Sequence, residues 1–152
     1  MTSTDNVRLV ERYFYEVIDG HDLSVLPELF DPKCLIHRAD LPEPIVGYEH
    51  LDGFLRLTHQ AIERTATTFL HVIGSKTGVA VHLRHDVKFR EWVLTPIGPC
   101  HAKGREVSWL AIAMFELRDG LIVEERVVRD ELSILKQLDM LPAEWFASRE
   151  ER

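Results

Sequence analysis

His85 stands out in the sequence because it interrupts an otherwise apolar row. In the predicted strand Val79–Val93, every second residue from Val79 to Phe89 is apolar except His85. Because alternate strand residues share a face, His85 is expected among apolar side chains on the core-facing side. There it can contact a substrate, or it can be a core histidine whose nitrogens are hydrogen-bonded. A metal site shared with His82 is excluded, since a spacing of three residues puts the two rings on opposite faces.

Asp130 stands between the predicted strand Leu121–Arg129 and the predicted helix Glu131–Leu138. A carboxylate on an apolar cavity wall has a raised pKa, so it can take a proton from an activated carbon and return it. An Asp directly before a helix is also a preferred N-cap, and the two roles are compatible. With regular alternation along the strand, Asp130 shares its face with Ile122 and Arg126.

Three further side chains are candidates for contacting a substrate. Arg126 can bind a carboxylate or enolate through two parallel hydrogen bonds, or it can pair with a neighbouring acid. His101 lies in the predicted loop Thr95–Gly104, which is rich in Pro and Gly and is expected near the mouth of a cavity. Trp109 is expected mainly in the core and is also a candidate for lining a binding site.

The predicted strand Val107–Leu117 is apolar on both faces. A strand of this kind is covered on both sides, so one face needs the helices and the other needs a partner. The sequence therefore predicts a homodimer that packs through the sheet.

The order of the predicted elements is α-α-β-α-β-β-β-β-α. A helix that carries Val7 to Val17 at spacings of three and four comes first, and a short helix with Leu23, Leu26 and Leu29 inward follows. The remaining predicted elements are a brief extended piece at Cys34–His37, a helix over Tyr48–Ile62, and strands over Thr67–Ser75, Val79–Val93, Val107–Leu117 and Leu121–Arg129, before the last helix. Asp119-Gly120 is a strong hairpin signal. Helices followed by antiparallel strands indicate the α+β class.

The composition fits one soluble domain over residues 1–152. The chain is 45% hydrophobic and 28% charged, with a formal net charge of -7, which argues against nucleic-acid binding. It shows neither a signal-peptide core nor a long apolar span, and Cys34 and Cys100 have no CxxC partner. These features predict a cytoplasmic protein without a structural disulfide or membrane contact.

The sequence contains none of the common motifs GxGxxG, GxxxxGK[ST], HExxH or GxSxG. It therefore offers no case for nucleotide, zinc-protease or serine-hydrolase chemistry. A mechanism without cofactor or metal fits what remains.

The stretch FELRDGLIVEERVVRDELSILKQLDML resembles the C-terminal signature of the SnoaL-like polyketide cyclases, or ester cyclases, of the NTF2-like superfamily. The matching features are the Asp119-Gly120 turn, Ile122 and Glu124, then Asp130, and finally Gln137 and Leu138. Arg126 replaces the family's usual aromatic residue, and Asp139 replaces its final glycine. The family's middle motif is also missing, and Pro96–Gly104 stands in its place.

This resemblance implies an NTF2-like, cystatin-like fold: a curved antiparallel sheet with helices on its concave face and a cone-shaped cavity. It implies that Asp130 is the general acid/base and that His37 lines the cavity, where it polarises a carbonyl or stabilises an enolate. The implied reaction is an intramolecular aldol cyclisation, or a related enolisation, of a small and largely apolar carbonyl compound. The alternatives are a cofactor-free epoxide hydrolase, isomerase or dehydratase that uses Arg126 with Asp130, or a non-catalytic ligand-binding dimer.

Overall fold

A computed structural model describes residues 2–147, so both ends of the predicted domain 1–152 lie outside the described residues. Its helices are α1 (Ser3–Arg12, continued by a π-helical segment Tyr13–Asp19), α2 (Leu26–Leu29), α3 (Tyr48–Ala61), α4 (Glu131–Gln137) and α5 (Glu144–Ala147). Its strands are β1 (Phe30–Arg38), β2 (Ile45–Val46), β3 (Ile62–Gly74), β4 (Gly78–Phe89), β5 (Trp92–Thr95), β6 (Gly98–His101), β7 (Glu106–Arg118) and β8 (Leu121–Arg129). No helix within residues 2–147 is long and apolar enough to cross a membrane.

The main sheet has the strand order β2-β1-β8-β7-β4-β3. All neighbouring pairs are antiparallel except β1 and β8, which run parallel. The parallel pair departs from the predicted antiparallel arrangement. It is possible because α3 and six strands, β2 to β7, lie between β1 and β8 in the chain. The predicted hairpin at Asp119-Gly120 is confirmed: both residues have positive φ, 51° and 77°, as a tight β7–β8 turn requires.

The N-terminal helix and α3 pack on the concave face of this curved, unclosed sheet. The helices contribute the buried side chains of Val10, Phe14, Val17, Leu51 and Leu55, and the sheet contributes Val81, Leu83, Ala111, Ala113, Phe115 and Ile122. Burying each large apolar side chain stabilises the fold by roughly 1.5–3 kcal/mol. The molecule is therefore α+β, with one apolar layer between helices and sheet.

Helix α4 covers the other end of the same sheet face. Its buried residues Ile134 and Leu138 lie against Val107 and Trp109 of β7. The Gln137 side chain accepts from the backbone N–H of Ser108 at 3.0 Å and donates to the Ser108 carbonyl at 2.7 Å. The Gln137 side chain of the C-terminal signature thus bonds the backbone of β7 in the place of a neighbouring strand, beyond the end of β8.

Two predicted boundaries are wrong. Strand β3 begins at Ile62 rather than Thr67, directly after α3. The predicted strand Val79–Val93 ends at Phe89, and the expected loop Thr95–Gly104 contains most of a separate β5–β6 hairpin. The Thr95 hydroxyl donates to the carbonyl of Gly98 at 2.6 Å and closes that hairpin, so a segment rich in Pro and Gly still forms paired strands.

A β-bulge in β8 overturns the predicted face of Asp130. Leu117 pairs with Ile122, but the next residue of β7, Glu116, pairs with Glu124, so Val123 is an extra residue in β8. Such a residue reverses the alternation that follows it. The inward side chains of β8 are consequently Ile122, Glu125, Val127 and Arg129, whereas Glu124, Arg126, Val128 and Asp130 point away from the helices.

Candidate active site

Four strands of the main sheet place polar or aromatic side chains next to one another on the concave face. We call Arg38, Asp40, His85, Trp109 and Arg129 the inner-face site. The His85 and Trp109 rings lie edge to face with centroids 5.7 Å apart, and the Arg129 guanidinium carbon lies 5.5 Å from the Trp109 ring centre. Register explains the first contact, since His85 and Trp109 are direct cross-strand partners in β4 and β7.

His85 is held by a hydrogen-bonded chain that reaches the end of the N-terminal helix. The Asp19 carboxylate accepts from the Thr67 backbone N–H at 2.9 Å and from the Thr67 hydroxyl at 2.7 Å. The Thr67 hydroxyl oxygen also lies 2.9 Å from Nδ1 of His85. Because a threonine hydroxyl has one hydrogen, and that hydrogen goes to Asp19, the oxygen must accept from Nδ1–H. The chain therefore selects the tautomer of His85 whose Nε2 carries a free lone pair.

The surroundings of His85 keep its ring neutral. Burial and the positive charges of Arg129 and Arg38 together lower the pKa of His85 to about 4, against the opposing effect of the nearby Asp86. At neutral pH the ring is thus a proton acceptor at Nε2. The predicted inward orientation of His85 is confirmed by the burial of its row, including Leu83 and Val87.

Arg38 and Arg129 bring positive charge to the inner-face site. Arg38 donates two hydrogen bonds to Asp40, at 2.9 Å and 3.1 Å, and its guanidinium lies 5.0 Å from the Phe54 ring of α3. Arg129 lies 3.7 Å from Asp40 and also pairs with Glu131. Burial disfavours the Asp40 carboxylate, but its bonds to Arg38 and the two positive charges outweigh this and lower its pKa.

Glu125 is a buried acid next to this site, with 4% of its surface exposed. Burial raises the pKa of Glu125 to about 7, against the charge of Arg38 and a hydrogen bond with the Tyr13 side chain. Its Oε2 atom has no hydrogen-bond partner among the described residues. A carboxyl group of this kind exchanges its proton near neutral pH.

His37 and Arg126, both predicted in the cavity, lie on the opposite side of the sheet. His37 Nε2 is 2.7 Å from Glu124 Oε1, and Arg126 donates to the same oxygen at 2.6 Å. Ile36 and Arg38 take the inward positions of β1, so His37 between them must face outward. The prediction that His37 lines the cavity is therefore wrong, and so is the predicted inward position of Arg126.

Asp130 is exposed and acts as the N-cap of α4, one of its two predicted roles. Its Oδ1 atom accepts from the Ser133 backbone N–H at 3.0 Å. The bulge in β8 turns this side chain away from the inner-face site, although its neighbours Arg129 and Glu131 belong to or border that site. Its role as a general acid/base stays a prediction.

Of the two remaining candidates from the sequence, Trp109 lies in the inner-face site and His101 lies outside it. Trp109 is buried at the centre of the inner-face site, as described above. His101 is exposed on β6, where it lies 3.7 Å from Glu91 and against the Trp92 ring, apart from the inner-face site. Within residues 2–147, no group of three or more His, Cys, Asp or Glu side chains is arranged to hold a metal ion.

Sequence reasoning missed Arg38, Asp19, Thr67, Glu125 and Arg129. The first three occupy positions without a distinctive local pattern. The other two follow the bulge, and regular alternation places them on the wrong face.

Glu125 generates a testable pH dependence. Its pKa in the folded protein is about 7, above the ordinary value of 4.5 that applies to the unfolded chain. The stability due to this group is fully present below pH 4.5 and is lost as the pH rises through 7. The loss in the free energy of unfolding is about 3 kcal/mol, since each unit of the difference between the folded and unfolded pKa values corresponds to about 1.36 kcal/mol. Glu125→Gln should remove this fall in the free energy of unfolding, measured by urea unfolding between pH 4.5 and 8.

The exposed Glu116→Gln on β7 serves as the matched control and should keep the wild-type pH dependence. An unchanged pH dependence in folded Glu125→Gln would show that Glu125 is already ionised in the native protein.

Comparisons with known proteins agree with this architecture. A protein from Jannaschia sp. CCS1, provisionally named a SnoaL-like polyketide cyclase, superposes with a TM-score of 0.79 at 22% identity, covering 93% of this chain and 96% of that one. TsrD from Streptomyces laurentii gives 0.77 at 20% identity, covering 93% and 99% of the two chains. An LEH-like epoxide hydrolase from M. tuberculosis gives 0.70 at 15% identity, covering 90% of each chain.

These similarities show a shared NTF2-like fold, since one of the similar structures has a ketosteroid isomerase-like fold. No curated protein sequence matches the chain. Residues 8–138 match the family described as SnoaL-like polyketide cyclase, which covers most of the sequence and includes the C-terminal signature. The chain belongs to the SnoaL-like polyketide cyclase family.

Proposed function

We propose that this protein is a cofactor-free enzyme that moves a proton at the carbon next to a carbonyl group, with Nε2 of His85 as the base. The observation that carries the proposal is the chain Asp19–Thr67–His85, which leaves Nε2 unprotonated and turns it into a proton acceptor. Family membership supports a reaction of the cyclase or isomerase kind. The expected substrate is a small, largely apolar carbonyl compound.

The proposed step begins when Nε2 of His85 accepts a proton from the carbon next to the substrate carbonyl. Negative charge then develops on the carbonyl oxygen, and the guanidinium groups of Arg38 and Arg129 stabilise it. The Thr67 hydroxyl continues to accept from Nδ1–H, so the Asp19 carboxylate favours the imidazolium through it. A base with a pKa of about 4 suits this chemistry, since ketosteroid isomerase uses an Asp base with a pKa of about 4.6.

Carbon–carbon bond formation completes the proposed cyclisation. The enolate carbon attacks a second carbonyl of the same molecule, and the resulting alkoxide takes the proton held by Nε2 of His85, which regenerates the neutral base. Transfer of the proton from His85 to a different carbon of a conjugated enolate would instead give an isomerase. The alternative of epoxide opening by an Arg126–Asp130 pair loses its basis, because Arg126 faces the other side of the sheet.

Substitution of His85 tests the proposed base. His85→Gln should slow hydrogen–deuterium exchange next to the carbonyl of small ketones and β-keto esters in D₂O by on the order of 10²–10⁴-fold, as proton NMR would show. Thr67→Val should also slow exchange and should change the tautomer of His85, which is visible in the nitrogen-15 shifts of its ring. Thr68→Val, at the adjacent exposed position of β3, is the control.

Retention of wild-type exchange in folded His85→Gln would contradict the proposal. Wild-type protein that binds such ketones without exchanging their protons would favour the non-catalytic ligand-binding alternative.

Asp130 can be tested separately because Asn caps a helix as well as Asp does. Asp130→Asn should therefore leave both the fold and the proton-exchange activity unchanged, whereas Asp130→Ala should lower the free energy of unfolding by about 1 kcal/mol. Chemical unfolding and the exchange measurement on the same samples separate these effects. A large loss of exchange in folded Asp130→Asn would assign the acid/base role to Asp130, as the family resemblance implies.

We also propose that the protein forms a homodimer through the outer face of the sheet. This face exposes the apolar side chains of Leu110, Ile112 and Met114 on β7 and Val128 on β8. Ile112 and Val128 are direct cross-strand partners, so the exposed groups form one patch. The ion pairs of Arg84 with Asp86 and of Arg126 with Glu124 place both charge signs at its border. A second copy related by a two-fold axis matches such a surface.

The double substitution Ile112→Asp with Met114→Asp should convert the dimer to a monomer, because it would bury four carboxylates at the interface. Light scattering after size-exclusion chromatography measures the mass directly. The control is Leu57→Asp on α3, an exposed apolar residue away from the sheet. A wild-type protein that is already monomeric at high concentration would contradict the proposal.

A further inference from the structure

A cleft of about 420 Å³ lies outside the inner-face site, between the end of the N-terminal helical region, α3 and the end of β4. Its lining residues are His21, Leu23, Arg56, His59, Gln60 and Arg90. None of them carries negative charge, although the chain as a whole has a net charge of -7. The cleft is therefore a local concentration of hydrogen-bond donors and positive charge on an acidic protein.

The two histidines of the cleft form a close pair. The rings of His21 and His59 are stacked, with centroids 4.0 Å apart and planes 8° from parallel. The Nε2 atoms of both rings are buried and have no hydrogen-bond partner among the described residues. A buried polar atom without a partner costs stability, so these nitrogens favour a ligand that supplies the missing interaction.

The backbone before this pair is constrained. A side chain at Gly20 would place a Cβ only 2.5 Å from the carbonyl oxygen of Glu16, so the chain can turn here only with glycine. His21 then adopts a φ of 57°, in the left-handed region that residues other than glycine adopt uncommonly. The fold thus accepts local strain to hold His21 over His59.

The two arginines are only partly neutralised. Arg56 donates to Asp52 on the preceding turn of α3, at 3.1 Å and 2.8 Å. Arg90 donates through Nε to the carbonyl of Ile62 at 3.0 Å, a neutral group. The charge of Arg90 therefore stays available to a ligand, and a guanidinium offers paired donors to a carboxylate or phosphate.

A metal cation is a poor match for this cleft. The lone pairs of stacked imidazoles lie in parallel ring planes and do not converge on one point. Two guanidinium groups also repel a cation. An anion with several acceptor oxygens meets neither obstacle, because neutral imidazoles and arginines can both donate to it.

We propose that this cleft binds a small-molecule oxyanion group, a carboxylate or a phosphate, through Arg90, Arg56 and the stacked pair His21–His59. The bound oxygens would accept from the guanidinium of Arg90 and from an imidazole N–H. This proposal stands apart from the chemistry at His85, since it concerns a separate cleft and is tested by binding alone.

Binding should change the protonation of the histidine pair. The charged groups around it are Arg56 on α3, Arg90 directly after β4, and Asp19. Asp22 bonds Ser24 and Asp52 bonds Arg56. Burial and, to a smaller extent, the neighbouring His21 together lower the pKa of His59 to about 4. Burial and Arg90 lower the pKa of His21, against the charge of Asp19. An added negative charge would raise both pKa values, because it favours the protonated rings.

The test is an NMR titration of the full chain labelled with carbon-13, following the histidine ring signals. Inorganic phosphate and, separately, acetate are added up to about 50 mM at constant ionic strength, with sodium chloride as the compensating salt. The signals of His21 and His59 should shift and saturate, while those of exposed His101 should not. The titration midpoint of His59 should rise by more than one pH unit at saturation. Saturation by phosphate, by acetate or by both supports the site, and the tighter anion identifies the ligand class.

Arg90→Gln should weaken this binding at least five-fold. Arg84→Gln, which removes an arginine on the outer face of β4, is the matched control and should bind like wild type. Shifts that fail to saturate, shifts of equal size at His101, or unchanged affinity in Arg90→Gln would each overturn the proposal. The wild-type titration decides the outcome even if Arg90→Gln fails to fold.

Discussion

Strand β8 carries Val123 as an extra residue opposite β7, and this bulge sets the direction of every side chain that follows it in the strand. With the bulge, Glu125 and Arg129 enter the interior while Arg126 and Asp130 point away from it. Without the bulge, Glu124, Arg126, Val128 and Asp130 would point inward instead. The inner-face site depends on this single insertion, because Arg129 reaches the Trp109 ring only from an inward position.

Charged groups in an apolar interior need partners, and the inner-face site is arranged accordingly. Arg38 and Arg129 are balanced by Asp40 and Glu131, so the four groups together are neutral. The arginines nevertheless lie on the side of His85, where their charge lowers its pKa. The site still carries a desolvation cost, which this pairing offsets at least in part. The site favours negative charge that develops on a bound molecule. Removal of a proton from carbon produces such a charge.

The class of fold and much of the helix and strand order could be predicted from the sequence, because side chains in a regular strand alternate between the two faces of the sheet. Strand β4 pairs with β7 from Gly78 to Lys88 without a break, and His85 accordingly lies where alternation puts it. Strand β8 is the counterexample. The residue types in β8 do not indicate the bulge. Glu124 and Glu125 have the same side chain, although Glu124 points outward and Glu125 is buried. The parallel pairing of β1 with β8 is equally a result of long-range packing.

The family resemblance implies a role for Asp130, since the C-terminal signature is present and the chain belongs to the family. The physical role that this signature shows here is structural. Asp130 caps α4, and Gln137 replaces the missing strand partner of Ser108. These contacts fix α4 across Trp109, so Asp130 and Gln137 help to position the inner-face site without being part of it.

Asp19 connects the two regions to which we assign chemistry. The π-helical segment Tyr13–Asp19 is wider than an α-helix, and such segments are frequent at functional sites. Asp19 at its end binds Thr67 on one side and lies near His21 on the other. Burial raises the pKa of Asp19, and positive charge at His21 opposes this rise. Ionised Asp19 holds the Thr67 hydroxyl as its donor, and that bond in turn fixes the tautomer of His85. The proposed anion cleft and the proposed base thus share Asp19 as a common neighbour.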